Sequence, residues 1–330
     1  MADKPRVSVI IVNWNGAKHL RLCLPSLLSQ SFKSLEIVVV DNRSSDDSAE
    51  VASSCGVRWL PLEENLGLAP ALNRGAAIAE GDLLLFVNND MRFDPGFVSA
   101  LVEPFERDEE IFATDGMQFN WDGTTRGHLA ARLTNLPPRR DSSTELVPGL
   151  YFYQQEKTEE SPVFMGSAAC MMVRKELFER LGGFDDRLPL GYEDVEICWR
   201  AWVHGRKTLY IPSAICWHRV GSSVQSLAAE RFSFRGVLKG RLLLATKLLP
   251  NRYAFHTWLV STAGLAKDIG RLRWRYATDR IAVLYYMAGL VLKLLREKRA
   301  LFKNANRSPE EQLDFLLQLT DDDALVDRCN

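Results

Sequence analysis

Along the first hundred residues, two hydrophobic periods alternate. Val7–Val12 is an unbroken β-branched run, the pattern of a strand buried on both faces. Ala17–Ser29 then places Leu20, Leu24, Leu27 and Leu28 at helical spacing, and Leu35–Val40 is a second buried strand ending at Asp41. Ser44–Ser53 reads as a short helix, Val57–Leu60 as a third strand, and Ala69–Ala79 as a helix that Gly81 can end. Asp82–Val87 is a fourth strand closing on Asn88-Asn89-Asp90, and Pro95–Phe105 is another helix. Such alternation with short connections predicts an α/β fold with a mostly parallel central sheet and helices on both faces. Ligands in such sheets bind beyond the carboxyl ends of the strands. Asn13-Trp14-Asn15, Asp41-Asn42 and Asn88-Asn89-Asp90 all follow strands directly, so their chemistry is expected along one edge.

From about 107 to 162 the pattern loosens around Pro137-Pro138 and a Ser/Thr/Glu-rich stretch, which suggests a loop over the site. Phe164–Val173 reads as a strand, a helix starts at Lys175, and Glu193–His204 is a helix with Val195, Cys198, Trp199 and Trp202 on one face. Beyond about 227 the chain is helical, basic and apolar to about 303, followed by an acidic amphipathic helix carrying Leu313, Leu316 and Leu317. These shifts divide the chain into 1–226, itself split at 106/107, and a helical region 227–330.

Composition is ordinary for a globular chain of 330 residues, 46% hydrophobic and 25% charged, which excludes disordered and disulfide-dense classes. Ile281–Leu292, the longest charge-free apolar run near the C-terminus, is 12 residues, short of the roughly 20 that span a bilayer. The N-terminal run is too short and too β-branched for a signal peptide, and six cysteines without CxxC spacing suit buried thiols in a reducing cytoplasm. The net charge of −1 conceals an asymmetry: 231–307 holds 17 Lys/Arg against 3 Asp/Glu, while 308–330 holds 1 against 7. A basic block of this size predicts an anionic partner, nucleic acid or membrane surface. Its long apolar runs, not interleaved with exposed aromatics as a strand-binding surface would be, favour membrane over nucleic acid.

No GxGxxG follows the first strand, and GxxxxGK[ST], HExxH and GxSxG are absent. The residues that remain each have two readings. Asp90 either caps a strand-end turn or binds magnesium or manganese, hard cations that prefer oxygen donors. Glu193-Asp194 either opposes a helix dipole at its first turn or supplies a general base. For these carboxyls the dipole lowers the pKa and burial raises it, and sequence alone does not rank the two. His218 is either a packed histidine or a ligand better suited to manganese. Trp14 and Asp41 either stack on and hydrogen-bond a nucleotide base or fill core and turn positions. Arg74 meets either a diphosphate or a neighbouring carboxylate. His19, His128, His204 and His256 lack comparable neighbours in sequence and carry no expectation.

Taken in order, VSVIIVNWNG (7–16), LEIVVVDNRSSDDS (35–48), NLGLAPALNRG (65–75), GDLLLFVNND (81–90), LFERLGGFDDRL (177–188) and GYEDVEICWRAWVHG (191–205), then His218 and Gly221, resemble the bacterial family 2 glycosyltransferases, especially their rhamnosyltransferase-like branch. The resemblance implies a GT-A nucleotide-sugar-binding α/β sandwich, with 1–106 as the nucleotide-sugar half and 107–226 as the acceptor and catalytic half. It implies a single inverting displacement. Asn13, Trp14 and Asp41 would face the base; Asn65, Asn73, Arg74, Asn88 and Asn89 would lie near nucleotide or sugar. Asp90 and His218 would hold a divalent cation, and Asp194 would be the base, with Glu193 orienting it or the acceptor. The metal motif has asparagines where many relatives carry further aspartates, and Asn13 stands where a threonine is common. The expected partners are a UDP- or dTDP-sugar donor, a glycan or lipid-linked acceptor and an anionic membrane touched peripherally from the cytoplasm, with no nucleic acid and with oligomerisation left open. The enzyme alternative is a sugar-nucleotide nucleotidyltransferase, whose Gly-rich phosphate loop is replaced here by Asn13-Trp14-Asn15-Gly16; the other alternative is a non-catalytic relative that binds anionic surfaces.

Overall fold

The computed structural model describes residues 7–124, 126–135, 143–219 and 234–319. The first part runs β1 (Val7–Asn13), α1 (Ala17–Leu28), β2 (Leu35–Asp41), α2 (Ser48–Ser54), β3 (Arg58–Pro61), α3 (Leu68–Ile78), β4 (Leu83–Asn88), β5 (Met91–Phe93) and α4 (Phe97–Arg107). Next come β6 (Ile111–Asn120), β7 (Arg126–His128), β8 (Ala130–Thr134), β9 (Ser143–Val147), β10 (Leu150–Gln155), β11 (Ser161–Pro162), β12 (Met172–Arg174), α5 (Lys175–Arg180), α6 (Glu193–Val203) and β13 (Lys207–His218). Four helices follow: α7 (Phe234–Lys247), α8 (Asn251–Gly270), α9 (Trp274–Lys303) and α10 (Pro309–Gln318).

The main sheet has the order β11-β13-β6-β12-β4-β1-β2-β3. β4, β1, β2 and β3 are mutually parallel, as are β6 and β13, while β12 runs antiparallel between β4 and β6. Alternate residues of the central strands serve opposite layers, as the two-residue strand period requires. Ile10, Val38, Val40, Leu84 and Phe86 pack on the face covered by α3 and α6. Val9, Ile11, Val39, Leu85 and Val87 pack on the face covered by α1 and α4. Each such side chain contributes roughly 1.5–3 kcal/mol when fully buried, which explains why unbroken apolar runs mark these strands.

Two expectations are corrected. The stretch from 107 to 162 holds β6 and the antiparallel sheet β8-β10-β9 rather than one loop. Buried Thr114, Asp115 and Gln118 interrupt the apolar run of β6, and that hid its strand character. Phe164–Val173 is not a continuous strand. Only Met172–Arg174 forms one, after a turn in which the Cys170 amide donates to the Ser167 carbonyl at 2.9 Å.

The helical C-terminal region is packed on the sheet region. α7 and α9 share a core with Leu188 through Leu238, Leu242, Val283 and Met287. α10 opens on Ser308, whose hydroxyl accepts from the Glu311 amide at 3.3 Å while the Glu311 carboxylate accepts from the Ser308 amide at 2.8 Å. Leu313, Leu316 and Leu319 then enter the main core, and the Arg132 guanidinium donates to the Leu319 carbonyl. The boundary expected at 226/227, Gly221 and the last eleven residues lie outside the described residues.

Candidate active site

A cleft of about 720 Å³ opens at the carboxyl ends of the parallel strands, where α/β topology places ligands. β1, β2 and β4 end in register there, Asn13 beside Asp41 and Val12 beside Asn88. Their polar ends mostly bind one another. Asn13 donates to Asp41 at 3.3 Å and accepts from Asn89 at 2.7 Å; Asp41 accepts from the Ser44 amide at 2.9 Å and from its hydroxyl at 2.5 Å. Gly16 lies against this cluster so closely that a Cβ would sit 2.2 Å from the Asn89 amide nitrogen. Trp14, Asn88 and Asn89 reach the cleft, whereas Asn13 and Asp41 are buried behind it as its frame. Asn42, expected at this edge but given no role there, lines the cleft and fixes its next loop, accepting from the Leu66 amide at 2.9 Å and donating to the Gly67 carbonyl at 3.0 Å.

The other predicted binding residues are placed outside the lining. Asn65 is exposed and accepts from the Gly67 amide at 3.0 Å. Asn73 joins α3 to the 184–186 segment: it donates to the Phe184 carbonyl and to Asp186 and accepts the Phe184 amide at 3.0 Å. Arg74 is exposed.

The tight β4–β5 turn carries Asp90 against the end of β13, where His218 pairs with Met91 in the ladder. His218 Nε2 lies 3.2 Å from Asp90 Oδ1 and 3.4 Å from the Asn88 amide nitrogen. Asp90 is buried, and His218 with Asn88 faces the cleft. Among the described residues no group of three or more His, Cys, Asp or Glu is arranged around one point. One carboxylate and one imidazole are too few to hold a divalent ion alone and fit one that draws further ligands from a diphosphate, the imidazole favouring manganese over magnesium.

Across the cleft, α6 begins at Glu193-Asp194. The Glu193 carboxylate accepts from the Gly191 amide at 2.6 Å and from the Tyr192 amide at 3.0 Å. Burial first, then the neighbouring Asp194 charge, pushes its pKa up to about 8 despite those two donors. Desolvation therefore outweighs the helix terminus, and the buried pair favours keeping a proton over carrying two charges. Asp194 lines the cleft, and one of its oxygens accepts from the Val195 amide at 2.8 Å. A pair that shares one proton leaves one member free to accept another.

His128 lies beside this pair and was not anticipated. It lines the cleft, its Nε2 2.9 Å from Asp115 and its Nδ1 3.0 Å from the Gln154 amide nitrogen. Burial alone would lower its pKa, but the Asp115 carboxylate, and Asp194 more weakly, raise it. Asp115 also accepts from the Cys170 thiol at 3.2 Å. The sequence signal was thin: one histidine whose partners stand 13 residues before and 26 after it.

Residues 8–182, more than half of the chain, match the model of glycosyl transferase family 2. The chain belongs to that family. It is a family 2 glycosyltransferase, similar at 29% identity over 241 residues to the N-acetylglucosaminyl-diphospho-decaprenol L-rhamnosyltransferase of Mycobacterium tuberculosis, with 65% of this chain and 76% of the relative covered. Solved structures share its GT-A fold. The mannosyltransferase of Pyrobaculum calidifontis with GDP-mannose and Mn2+ aligns at TM-score 0.54 and 17% identity, covering 88% of each chain. TarS 1–349 of S. aureus with UDP-GlcNAc aligns at TM-score 0.53 and 18% identity, covering 92% of this chain and 93% of that one.

Proposed function

We propose that this glycosyltransferase moves a hexose or deoxyhexose, rhamnose being the first candidate, from a UDP- or dTDP-sugar to a lipid-linked glycan with inversion. The observation that carries the reading is the placement of Asp194 and the Asp90–His218 pair at one strand-end cleft. Asp194 takes the proton of the acceptor hydroxyl as that oxygen attacks the anomeric carbon. Glu193, protonated and tied to two backbone amides, holds the turn that aims Asp194 and adds no second negative charge beside it. Trp14 offers a ring to the base, and Asn88 and Asn89 offer amides to ribose or diphosphate. Asp90 and His218 would hold a magnesium or manganese ion, which when bound offsets the charge gathering on the leaving diphosphate. One base suffices for a single displacement, and no nucleophilic carboxylate is needed.

The test is a thermal-shift titration with UDP, dTDP and GDP, each with Mn2+ and with EDTA. Ligand that binds the native chain raises its melting temperature by linkage. A metal-dependent rise with UDP or dTDP is expected, and flat curves with all three would remove the donor site. Release of pyrophosphate from sugar-1-phosphate and a nucleoside triphosphate would replace this reading with a nucleotidyltransferase.

We also propose that the enzyme works against an anionic membrane surface on the cytoplasmic side. Among the described residues no helix is long and apolar enough to cross a membrane. Eleven of the thirteen exposed large hydrophobics among the described residues fall on 255–292, Leu272, Trp274 and Tyr285 prominent among them. Arg271, Arg275, Lys293, Arg296 and Arg299 are exposed along the same helices. Lysine and arginine interleaved with apolar side chains suit an interface. Not all the basic residues serve it. Lys298 is buried on the Leu249 carbonyl and Asn251, and Arg280 pairs with Asp268 at 3.1 Å. Because α9 also lines the cleft, substitution of Leu272, Trp274 and Tyr285 by Ser is a cleaner test than deletion. Sedimentation with phosphatidylglycerol vesicles should fall in the triple variant, and equal sedimentation would sink this part of the reading.

A further inference from the structure

His128 and Asp115 are buried beside the carboxyl pair and take no part in the transfer steps. Asp115 is 1% exposed, and among the described residues its ion-pair partner is His128, whose Nε2 lies 2.9 Å from Oδ2. Its other oxygen accepts from the Cys170 thiol at 3.2 Å, and Cys170 in turn accepts from the Gln118 amide at 3.2 Å. A buried carboxylate left without a cation is costly. In this chain of bonds the imidazole is the one group that can supply a positive charge, and Asp115 favours its doing so.

A single turn joins this pair to the base. In residues 167–170 the Cys170 thiol reaches Asp115, and the Ala168 amide donates to Asp194 Oδ2 at 3.4 Å. Glu193 is turned the other way, onto the Gly191 and Tyr192 amides. His128 and Asp194 line the same cleft, and the Asp194 charge is felt at the imidazole. A cation at His128 therefore acts on Asp194 first. The neighbouring thiols add no charge, since burial pushes Cys198 up to about 12 and holds Cys170 well above its ordinary value. On the farther walls Asp186 is bonded by Asn73, His218 by Asp90 and Arg235 by Asp279, while Lys239 stacks on Tyr286. At the second ring nitrogen Gln154 has two settings. In one its amide nitrogen lies 3.0 Å from Nδ1 and its oxygen accepts from the Leu129 amide at 3.2 Å, the bonding of a neutral ring. Turned over, the oxygen accepts from the imidazolium Nδ1–H and releases Leu129.

Resting on the transferase reading above, we propose that His128, as an imidazolium held by Asp115, is a positioning residue that keeps Asp194 the ionised member of the carboxyl pair and leaves the shared proton on Glu193. Two carboxyls that share a proton have no intrinsic owner for it. Glu193 accepts from the Gly191 and Tyr192 amides and Asp194 from the Ala168 and Val195 amides, so these bonds do not choose between them. A cation beside one member does choose: it stabilises that carboxylate and sends the proton to the other. The proton of the acceptor hydroxyl then finds Asp194 vacant. No proton passes through His128, which biases the pair by its charge alone.

The test follows the carboxyl-carbon NMR signal of Asp194 in the full chain, labelled at its aspartates and free of metal, assigned by its loss in Asp194→Asn. In the parent it should stay at the ionised position from about pH 6 to about pH 8, because a one-unit bias already leaves less than about a tenth of the shared proton on Asp194. In His128→Gln the proton should be shared, which moves the signal by about half of the full protonation shift near pH 6. Gln154→Glu offers oxygens to both Nδ1–H and the Leu129 amide, so it should raise the His128 ring titration by about one unit and leave Asp194 ionised. An Asp194 signal unmoved by His128→Gln would overturn the proposal, as would a parent signal at the protonated position near pH 7. If His128→Gln does not fold, Gln154→Glu decides, and a ring titration that fails to rise would overturn it. The rise in melting temperature with UDP or dTDP and Mn2+ tests the transferase reading separately. If that rise is present while Asp194 stays unmoved, only this role of His128 falls; if no nucleotide gives a rise, the transferase reading falls whatever the carboxyl signals show.

Discussion

The strand-end wall and the helical wall of the cleft use polar residues in opposite ways. At the ends of β1, β2 and β4 the side chains of Asn13, Asp41, Ser44 and Asn89 mostly satisfy each other, and only the outermost groups reach the cavity. On α7, Arg235 and Lys239 border the cavity while anchored to other helical residues, Arg235 to Asp279 at 2.5 Å and Lys239 to the Tyr286 ring. A loop must be fixed before it can present a ligand, and loops after strands lack a helix's internal hydrogen bonds, so much of their polarity goes into holding shape. A helix arrives with its backbone satisfied, so its side chains are not needed to hold the backbone in shape. The same pressure acts deeper on the helical side, where Lys247 bridges Asp185 and Glu196, each at 2.6 Å, and Arg187 joins Asp185 to Glu297 at 2.7 Å. Those cations fasten the helices to the sheet region. They hold Asp185 well below the usual carboxylate range despite its burial.

The largest expected effect tests the point where the two walls meet. Asp194→Asn keeps the shape and can still accept the Val195 amide, but it cannot take a proton. Transfer should fall by about 10²–10⁴, the range of general-base catalysis, while the UDP-induced shift in melting temperature is retained. Loss of both together would make Asp194 part of the frame instead of the chemistry.

Next in size is the frame itself. Asp41→Ala would strand the Ser44 hydroxyl and amide and one donor of Asn13 in a buried place. The cost should be about 2–3 kcal/mol of unfolding free energy, measured by urea denaturation. Nucleotide affinity should weaken through the loosened loop. A stable variant with selectively lost uracil or thymine recognition would instead make Asp41 a direct base contact.

A third prediction concerns the shared proton. Glu193 holds its proton up to about pH 8 in the native chain, whereas the unfolded chain releases it near 4.5. The native state therefore binds more protons between those values, so stability falls as pH rises, by at most about 1.4 kcal/mol per pH unit for one group. His128, raised by Asp115, has the same sign: its contribution is full below 6.5 and is lost as pH climbs through its native pKa. Glu193→Gln should flatten the decline between 4.5 and 6.5 and leave only the His128 share above 6.5, which adding His128→Gln should remove. An unchanged profile in Glu193→Gln would mean that the carboxyl is ionised and Asp194 protonated.

Legibility in the sequence followed the kind of interaction. Strands β1, β2 and β4 are visible because burial on both faces leaves an unbroken apolar run, whereas Asp90, Glu193, Asp194 and His218 stand out because they fall in stretches that resemble the family's motifs. β6 was hidden because Thr114, Asp115 and Gln118 are buried polar residues whose partners lie elsewhere in the chain. His128 was passed over for the same reason, since nothing local reveals Asp115 and Gln154. Arg235 and Lys239 were counted only as part of a basic block. Charge totals cannot tell a cation at a cleft from one, like Lys298, capping a buried helix end.

Arg74 gives the smallest effect and the sharpest limit on motif reasoning. It follows Asn73 in a stretch that resembles the family, and both were expected at the nucleotide. Asn73 is bonded across to Phe184 and Asp186, so α3 is oriented with that face against the 184–186 segment. Arg74, one residue on and so about 100° around the helix, is turned to solvent. Arg74→Ala should change stability by less than about 0.5 kcal/mol, as exposed sites do, and should leave the UDP-induced shift unaltered. Asn73→Ala should cost about 1–3 kcal/mol through its buried-side bonds. A variant at Arg74 that instead lost nucleotide binding would show that α3 turns on loading the donor, and the contrast between a wall whose polar groups hold its loops and a wall whose backbone holds itself would no longer apply to that segment.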